Sequence, residues 1–253
     1  MDRTYDAVNP VPPPFPAAAV FTTRCGGVSH APYAALNLGD QVGDSPQAVA
    51  ANRQVLARAF PGRRLIYMQQ VHGCEVRYVS GRPDQADPGR CDGIITDDPA
   101  VALVVLTADC LPLLLASADG AWVAAVHCGW RGVAQGIIPR ALAALTAHGG
   151  RQPCAFLGAG IGRASFEVGA EVQEALAGDD PQLSGFFEPR PGGRLLCDLR
   201  GICHHQLRAH GVSGIADVDE DTCACPQYFY SYRRDGPTGR QACAIGKKIT
   251  PQL

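Results

Sequence analysis

Apolar residues recur along the chain in two patterns, one typical of buried strands and one typical of amphipathic helices. Continuous apolar runs at 101–106, 113–117 and 121–127 predict strands that are covered on both faces. Apolar residues spaced for one helical face predict helices at 48–60 and 133–148, the first capped by Asp44 or Ser45 and the second kinked at Pro139. The two patterns together predict a mixed α/β fold.

The remaining segments extend this prediction over the whole chain. Further strands are predicted at 15–23, 65–70, 75–80, 155–158 and 195–198, and further helices at 167–177 and 199–210, the last closed by Gly211. Segments 229–234 and 241–245 flank a glycine- and proline-containing turn, which predicts a hairpin. Residues 1–16 are rich in proline and are expected to form a surface lead-in. No internal repeat and no clear linker is visible, so we expect residues 1–253 to form a single domain.

Composition narrows the class of protein. With 253 residues, 46% of them hydrophobic, the chain can bury a large core, and its net charge of −2 offers no basic face for nucleic acid. No apolar run is long enough to span a membrane, and no apolar segment follows a basic N-terminus as in a secretory signal. We therefore expect a cytoplasmic protein whose eleven scattered cysteines are mostly reduced, buried thiols.

Three residues are candidates for a metal site. His72 follows a predicted strand, Cys110 lies in a break between two apolar strands, and His127 ends a strand before a glycine-rich turn. Ligands gather at the carboxyl ends of strands in α/β sheets, and two imidazoles with one thiolate leave an open position for catalytic zinc or admit copper. The spacing matches no compact metal motif, so a hydrogen-bonded structural histidine and a core thiol stay open as alternatives.

A second candidate site lies in the turn that contains Arg24, Gly26 and Gly27. Backbone N–H groups of a glycine turn can form an anion nest, and Arg24 supplies positive charge for a phosphate. An ordinary loop is an equally good interpretation. Asn37 suits a hydrogen bond to ribose or base, or a structural role in its turn, and Arg131 is a fixed cation after the glycine-rich turn.

Three other patterns give weaker evidence for a functional site. The Gly158, Gly160 and Gly162 repeat lacks the third glycine of a dinucleotide-binding loop at its required place. The Cys223–Cys225 pair is spaced by one residue rather than two, and no second pair follows, so we interpret it as structural. His204 and His205 are adjacent in a predicted helix, point in different directions, and are expected at the surface.

Eight segments, in order, resemble a known family. They are FTTRCGGVS (21–29), PYAALNLGDQVGD (32–44), QVHG (70–73), CDGIIT (91–96), TADCLPLLL (107–115), HCGWRG (127–132), GAGIGRASFEVGAEV (158–172) and YSYRRDGPTGR (230–240). They resemble the laccase-domain family, also called the polyphenol oxidase or YfiH-like family, whose bacterial members are described as purine nucleoside phosphorylases. The resemblance covers nearly the whole chain after residue 20.

The resemblance implies a fold, a cofactor and an activity. The fold would be an α/β/β/α sandwich with mixed sheets, and Zn²⁺ would be held by His72, Cys110 and His127. Adenosine, inosine, guanosine and methylthioadenosine would be cleaved with phosphate, and adenosine would also be deaminated. Cys110, His127 and Asp109 are then the expected catalytic residues, and Asp92 stays open as the alternative to Asp109 for proton transfer. The expected substrate- and phosphate-binding residues are Arg24, Gly26, Gly27, Asn37, Asp92 and Arg131.

Several alternatives stay open at this point. A copper-dependent polyphenol oxidase is one, although two of the seven histidines in the metal set leave only five for further copper ions. A cysteine hydrolase with Cys110 as nucleophile and His127 as base is another, and a non-enzymatic binding protein in cell-wall synthesis is a third. We expect small-molecule purine nucleosides and phosphate as partners, no nucleic acid or membrane, and a monomer rather than a large oligomer.

Overall fold

The computed structural model describes residues 4–82, 87–178 and 180–248. The strands in this part of the chain are β1 (Val8–Pro10), β2 (Ala18–Thr22), β3 (Arg64–Tyr67), β4 (Val76–Tyr78), β5 (Gly93–Thr96), β6 (Val101–Thr107), β7 (Leu111–Ala116), β8 (Val123–Cys128), β9 (Cys154–Leu157), β10 (Glu167–Val168), β11 (Phe187–Pro189), β12 (Leu195–Cys197), β13 (Ile215–Asp217) and β14 (Gln241–Gly246). The helices are α1 (Pro46–Ala57), α2 (Trp130–Ala134), α3 (Ile137–Ala147), α4 (Ala170–Ala177), α5 (Pro181–Ser184), α6 (Leu199–Ala209) and α7 (Tyr232–Asp235).

The strands form two large sheets and one small one. Sheet I has the order β1-β2-β14-β6-β3, with all neighbours antiparallel except β3 and β6. Sheet II has the order β13-β9-β7-β8-β5-β4, antiparallel in its centre and parallel at both edges. The small sheet has the order β10-β12-β11 and is antiparallel. Both large sheets are therefore mixed.

Alternate residues of the central strands divide the core into layers. Leu103 and Val105 of β6 pack between the two sheets against Leu114 of β7. On the outer face of sheet II, Leu113 and Leu115 pack with residues of α3 and α6. On the outer face of sheet I, Val104 packs with residues of α1. The layers are thus helix, sheet, sheet and helix, which confirms the predicted α/β/β/α sandwich.

Local signals placed two helix ends correctly. The Ser45 side chain accepts a hydrogen bond from the N–H of Ala48 and caps α1, as the sequence predicted. Gly211 follows the end of α6 with a φ of +80°, a conformation that glycine adopts without steric cost. No helix among the described residues is long and apolar enough to cross a bilayer.

Three predicted elements differ in detail from the structure. The expected helix at 133–148 is two helices, α2 and α3, because Gly136 adopts a φ of +82° between them, whereas Pro139 lies harmlessly in the first turn of α3. The segment at 167–177 begins as β10 before α4. The lead-in at 1–16 contains β1, which pairs with β2.

The predicted hairpin at 229–245 is also wrong. Residues Tyr232–Asp235 form α7, whose first turn is capped by the Ser231 side chain, which accepts a hydrogen bond from the N–H of Arg234. β14 instead lies in the middle of sheet I, between β2 and β6. Long-range pairing therefore determines this strand, and the turn sequence before it follows a short helix rather than a partner strand.

Candidate functional site

His72, Cys110 and His127 converge at one end of the sandwich. Their ligating atoms, the two imidazole nitrogens and the Cys110 sulfur, all lie within 4.8 Å of one another. The two imidazole rings meet edge to face with centroids 4.8 Å apart, and Cys110 Sγ lies 3.9 Å from His72 Nε2. Residues that are far apart in the chain thus form one group that can hold a metal ion.

The strand register brings two of these residues together. Cys110 lies in the turn between β6 and β7, directly before β7 begins. His127 lies on β8 opposite Pro112 of β7, so the turn and the end of β8 meet at the same edge of sheet II. His72 lies in a loop between β3 and β4 and has a φ of +59°, a backbone conformation that is uncommon for a residue other than glycine.

Asp92 supports both histidines from below. Its carboxylate is fully buried and accepts hydrogen bonds from the backbone N–H groups of His72 at 2.9 Å and Gly73 at 2.7 Å. The same carboxylate lies 2.8 Å from His127 Nδ1. Because a carboxylate only accepts, Nδ1 carries the proton, and Nε2 is left as the ligating nitrogen. Asp92 therefore fixes both the loop of His72 and the ring orientation of His127.

Charge interactions at the site favour the ionised forms of Asp92, Cys110 and His127. Burial raises the pKa of Asp92, but hydrogen bonds from His127 and Gly73 outweigh it and hold this pKa below the ordinary value. Burial also opposes ionisation of Cys110, but the charge of His127 and hydrogen bonds with both imidazoles lower the pKa of the thiol to about 6. The Cys110 charge and the bond to Asp92 outweigh burial at His127 and raise its pKa to about 9. Without metal, Cys110 and His127 form a thiolate–imidazolium pair.

Gly129 provides the space that the three side chains need. A Cβ atom at this position would lie 3.0 Å from His72 Cδ2, 3.2 Å from Cys110 Sγ and 3.4 Å from His127 Cε1. A side chain here would push directly on all three residues of the group. The glycine after His127 and Cys128 is therefore part of the site, although it offers no ligand atom.

The group opens into a cavity of about 540 Å³, within the size range of small-molecule sites. Its lining includes the aromatic residues Trp130, Phe166 and Tyr232, and Tyr232 is 58% exposed. The charged residues that line the cavity are Asp40, Asp109, Arg131, Arg233 and Arg240. The cavity thus combines a potential metal group, flat apolar surfaces and several cations.

Asp109 and Arg131, both predicted as site residues, line this cavity. The Asp109 carboxylate accepts hydrogen bonds from the Thr222 hydroxyl at 2.8 Å and from the backbone N–H of Arg233 at 2.7 Å. The Arg131 guanidinium lies over the Trp130 ring, 4.3 Å from its centroid. Both residues therefore lie where a bound molecule would contact them, and their predicted roles stay predictions.

Arg24, Gly26 and Gly27 lie elsewhere in the structure. Arg24 donates from Nε to the Ala34 carbonyl and from Nη1 to the Pro226 carbonyl, and its guanidinium lies 4.8 Å from the Tyr230 ring centroid. Gly27 packs so closely on the backbone of residues 35 and 36 that a Cβ atom would clash with it. Among the described residues, the lining of the cavity includes none of these three.

Asn37 is fully buried behind the cavity wall. Its Oδ1 accepts hydrogen bonds from the N–H groups of Gly39 and Arg240, each at 2.9 Å, and its Nδ2 donates to the Asp44 carboxylate at 2.8 Å. The side chain therefore connects two segments of the wall, 37–39 and 240, rather than facing the cavity. A contact between Asn37 and a ligand stays a prediction that this arrangement does not favour.

Two residue pairs to which the sequence assigned no chemistry, His204–His205 and Cys223–Cys225, are partly buried. The Nε2 atom of His204 lies 2.6 Å from the Asp217 carboxylate, and Arg200 pairs with the same aspartate. The expectation that His204 is a surface residue is wrong, because this side chain is only 20% exposed. Cys225 contacts Glu220 through its thiol at 3.5 Å, in agreement with a structural role.

Residues of the 230–240 segment were missed as site residues. Tyr232, Arg233 and Arg240 all line the cavity, as do Trp130 and Gln70. The segment matches a family motif and contains three arginines in eleven residues. The hairpin predicted for it gave no indication that these arginines lie near Cys110. Cation density within a motif was the signal that would have identified Arg233 and Arg240.

Comparison with known proteins identifies the family to which this chain is similar. The model of a family described as multi-copper polyphenol oxidoreductase laccase matches residues 18–248. A purine nucleoside phosphorylase of Mycobacterium tuberculosis (strain ATCC 25618 / H37Rv) is 42% identical over 230 residues, which are 89% of this chain and 90% of the relative. Purine nucleoside phosphorylase YfiH of Escherichia coli (strain K12) is 38% identical over 236 residues, which are 92% and 95%.

Solved structures agree with the fold. The crystal structure of Neisseria meningitidis protein NMB0706 superposes with a TM-score of 0.89 at 34% identity and covers 96% of this chain and 100% of that one. YlmD from Geobacillus stearothermophilus superposes with a TM-score of 0.84 at 31% identity and covers 94% of each chain. The same sandwich is therefore present in experimental structures of similar proteins.

Proposed function

This chain belongs to the multi-copper polyphenol oxidoreductase laccase family, and we propose that it is a zinc-dependent purine nucleoside phosphorylase. The proposal rests mainly on one observation, the opening of the His72, Cys110 and His127 group into a cavity lined by aromatic rings and cations. Relatives named purine nucleoside phosphorylase match about nine-tenths of the chain, which supports the same activity here.

The residues of the group fit a zinc ion. Two imidazoles and one thiolate are ligands that zinc prefers, and three protein ligands leave a position open for chemistry. The hydrogen bond between His127 Nδ1 and Asp92 matches the support that metal-bound histidines usually receive from a carboxylate. When bound, zinc supplies concentrated positive charge that stabilises negative charge on a reacting ligand.

The cavity residues account for binding and orientation of the substrates. Trp130, Phe166 and Tyr232 offer flat faces for a purine ring, and the guanidinium groups attract phosphate. In phosphorolysis, a phosphate oxygen forms a bond to C1′ of the ribose while the bond from C1′ to the purine nitrogen breaks. The departing purine takes the electron pair and gains the proton that hydrogen phosphate loses as its ester forms, and Asp109, which lines the cavity, is a carboxylate that can relay this proton. The products are the free base and ribose 1-phosphate.

We propose adenosine, inosine, guanosine and methylthioadenosine as substrates, with adenosine deamination as a second activity of the same cavity. One observation favours a different candidate. The Cys110 thiolate and the His127 imidazolium, with pKa values of about 6 and about 9, form the pair that a cysteine hydrolase uses. A metal on the thiolate would block that chemistry, so metal content separates the two candidates. Copper at the same ligands would give the oxidase activity that the family description names.

Product analysis beside metal analysis tests the proposal. Purified protein is assayed with adenosine, with and without inorganic phosphate, and its zinc and copper contents are measured. We expect adenine and ribose 1-phosphate only when phosphate is present, about one zinc ion per chain, and inosine in both conditions if adenosine is deaminated. A metal-free protein that cleaves adenosine fully without phosphate would support the cysteine hydrolase. A protein that releases no base when phosphate is present would contradict the phosphorylase.

A further inference from the structure

Arg240 is a partly buried cation in the lining of the cavity. It immediately precedes β14, and its backbone N–H donates to the buried Asn37 side chain. Its Nη1 atom donates to the carbonyl oxygens of Thr238 and Gly239, each at 2.9 Å. The opposite side of its aliphatic stem packs against Gly39, where a Cβ atom would lie 2.8 Å from Arg240 Cγ. The guanidinium is therefore held in one place before any ligand arrives.

Two of the three guanidinium nitrogens face no protein acceptor. Among residues 4–82, 87–178 and 180–248, no hydrogen bond is made by Nε or Nη2 of Arg240, and no carboxylate lies within salt-bridge distance of it. Arg200 and Arg234, which are also partly buried, each pair with an aspartate. Nε and Nη2 of Arg240 are not among the buried polar atoms without a partner, so both are accessible, and this charged fork is free to bind an anion that enters the cavity.

The other charges of the cavity reinforce this tendency. Arg131 and Arg233 add two cations to the lining. Of the two lining carboxylates, Asp40 pairs with Arg53 at 3.2 Å, and Asp109 already accepts two hydrogen bonds from the protein. Burial lowers the pKa of Arg240, and the nearby negative charges of Cys110 and Asp109 partly offset this effect. The cavity therefore retains an excess of positive charge for an anionic ligand.

We propose that Arg240 anchors the phosphate co-substrate, through Nε and Nη2, in the cavity that the His72, Cys110 and His127 group also lines. The proposal rests on the proposed phosphorylase function and deepens it. A guanidinium fork matches two oxygens of a phosphate, and its fixed position orients the attacking oxygen. Arg131 and Arg233, which are exposed at the rim, add attraction for the incoming anion.

This assignment replaces the phosphate site expected at the Arg24 turn. Arg24 and Arg240 each donate two hydrogen bonds to backbone carbonyls. Arg24 lies against Tyr230 outside the described lining of the cavity, whereas Arg240 lines it. The two arginines are thus matched in chemistry and differ in position, and they form a natural pair for experiment.

The test compares Arg240→Gln with Arg24→Gln in the zinc-loaded enzyme. We measure the dissociation constant of inorganic phosphate by calorimetry, and the KM values of phosphate and adenosine in phosphorolysis. Loss of charge-assisted hydrogen bonds should weaken phosphate binding in Arg240→Gln by about 10- to 100-fold, with a much smaller change in the KM of adenosine. Arg240→Lys, which keeps the charge but not the fork, should recover part of the loss. Unchanged phosphate binding in Arg240→Gln, or a larger loss in Arg24→Gln, would overturn the proposal.

A second measurement needs no variant and is unaffected by folding defects. The wild-type holoenzyme is treated with an arginine-selective dicarbonyl reagent, with and without inorganic phosphate, and the modified residues are identified by mass spectrometry. Phosphate should protect Arg240 and leave the modification of Arg24 unchanged, and equal modification of Arg240 in both samples would refute the subsite. If phosphate binds and protects Arg240 but no nucleoside is cleaved, the subsite stands and the proposed phosphorylase function fails.

Discussion

Two regions of this molecule contain polar side chains held by dense hydrogen bonding, and they differ in what those bonds leave available. Around Asp92, the protein provides every bond to the carboxylate, and the ligating atoms of His72, Cys110 and His127 face one another beside a cavity. Around Asn37 and Arg24, the polar atoms bond to backbone groups that close a turn. The first region supports a set of ligands, and the second connects backbone segments, including two segments of the cavity wall.

The comparison shows how a functional site can be distinguished from a hydrogen-bonded cluster that only joins backbone segments. Both regions contain a fully buried polar side chain, Asp92 in one and Asn37 in the other, and both contain close-packed glycines. At Gly129 the neighbours of an added Cβ atom are the three candidate ligands, whereas at Gly27 they are backbone atoms. Functional regions are therefore marked by the identity of the groups that the packing protects.

The largest effect should follow removal of the sulfur ligand. Cys110→Ala deletes one of three metal ligands, so we expect metal content to fall to background and turnover to be lost. Elemental analysis and phosphorolysis assays measure both quantities. Cys128→Ala is the matched control, because this buried thiol interacts with Cys203 and is not a member of the ligand group. Retention of metal and activity by Cys110→Ala would contradict the assignment.

The pH dependence of metal binding should be the next largest effect. Between the pKa of Cys110 at about 6 and that of His127 at about 9, the metal-free protein holds a thiolate and a protonated imidazole. Metal binding must then release the His127 proton, so affinity should rise by about tenfold for each pH unit across this interval. Below this interval, where Cys110 is also protonated, metal affinity should rise more steeply with pH. Above the interval, His127 is already neutral and should add no further pH dependence. Calorimetry in buffers of different ionisation enthalpy counts the protons that metal binding releases. A metal affinity that is independent of pH across the interval would contradict the thiolate–imidazolium pair of Cys110 and His127.

A smaller effect should distinguish the two buried polar side chains, Asp92 and Asn37. Asp92→Asn removes the charge that orients His127, and loss of such a supporting group lowers metal affinity by about 10- to 100-fold. Asn37→Ala should reduce the free energy of unfolding by about 1–3 kcal/mol, because it leaves buried N–H groups without an acceptor, while metal affinity stays unchanged. Denaturant titration and metal-competition assays measure the two quantities. Equal losses of metal affinity in both variants would remove the distinction between the regions.

Periodicity predicted the central strands well because their signal is local. The continuous apolar runs of β6, β7 and β8 reflect burial on both faces, which any single sequence displays. The helix break at Gly136 and the central place of β14 depend on backbone conformation and on long-range pairing. Periodicity contains neither kind of information, so these elements were predicted wrongly.

The candidate site was predictable in part for a similar reason. Residue type and the family resemblance marked His72, Cys110 and His127, which the structure brings together. They did not reveal that Asp92 holds the ligands from outside the described lining of the cavity, because the four groups that donate to its carboxylate come from segments far apart in the chain. Nor did they separate Arg24 from Arg240, since only the folded structure determines which guanidinium faces the cavity.

X-ray absorption at the zinc edge of the purified, zinc-loaded protein tests the central claim most directly. The account predicts one ion per chain with one sulfur at about 2.3 Å and two imidazole nitrogens at about 2.0–2.1 Å, plus a light-atom ligand in the remaining position. In Cys110→Ala, the sulfur signal should disappear. A wild-type spectrum that shows no sulfur ligand, or two or more sulfur ligands, would contradict a site built from His72, Cys110 and His127.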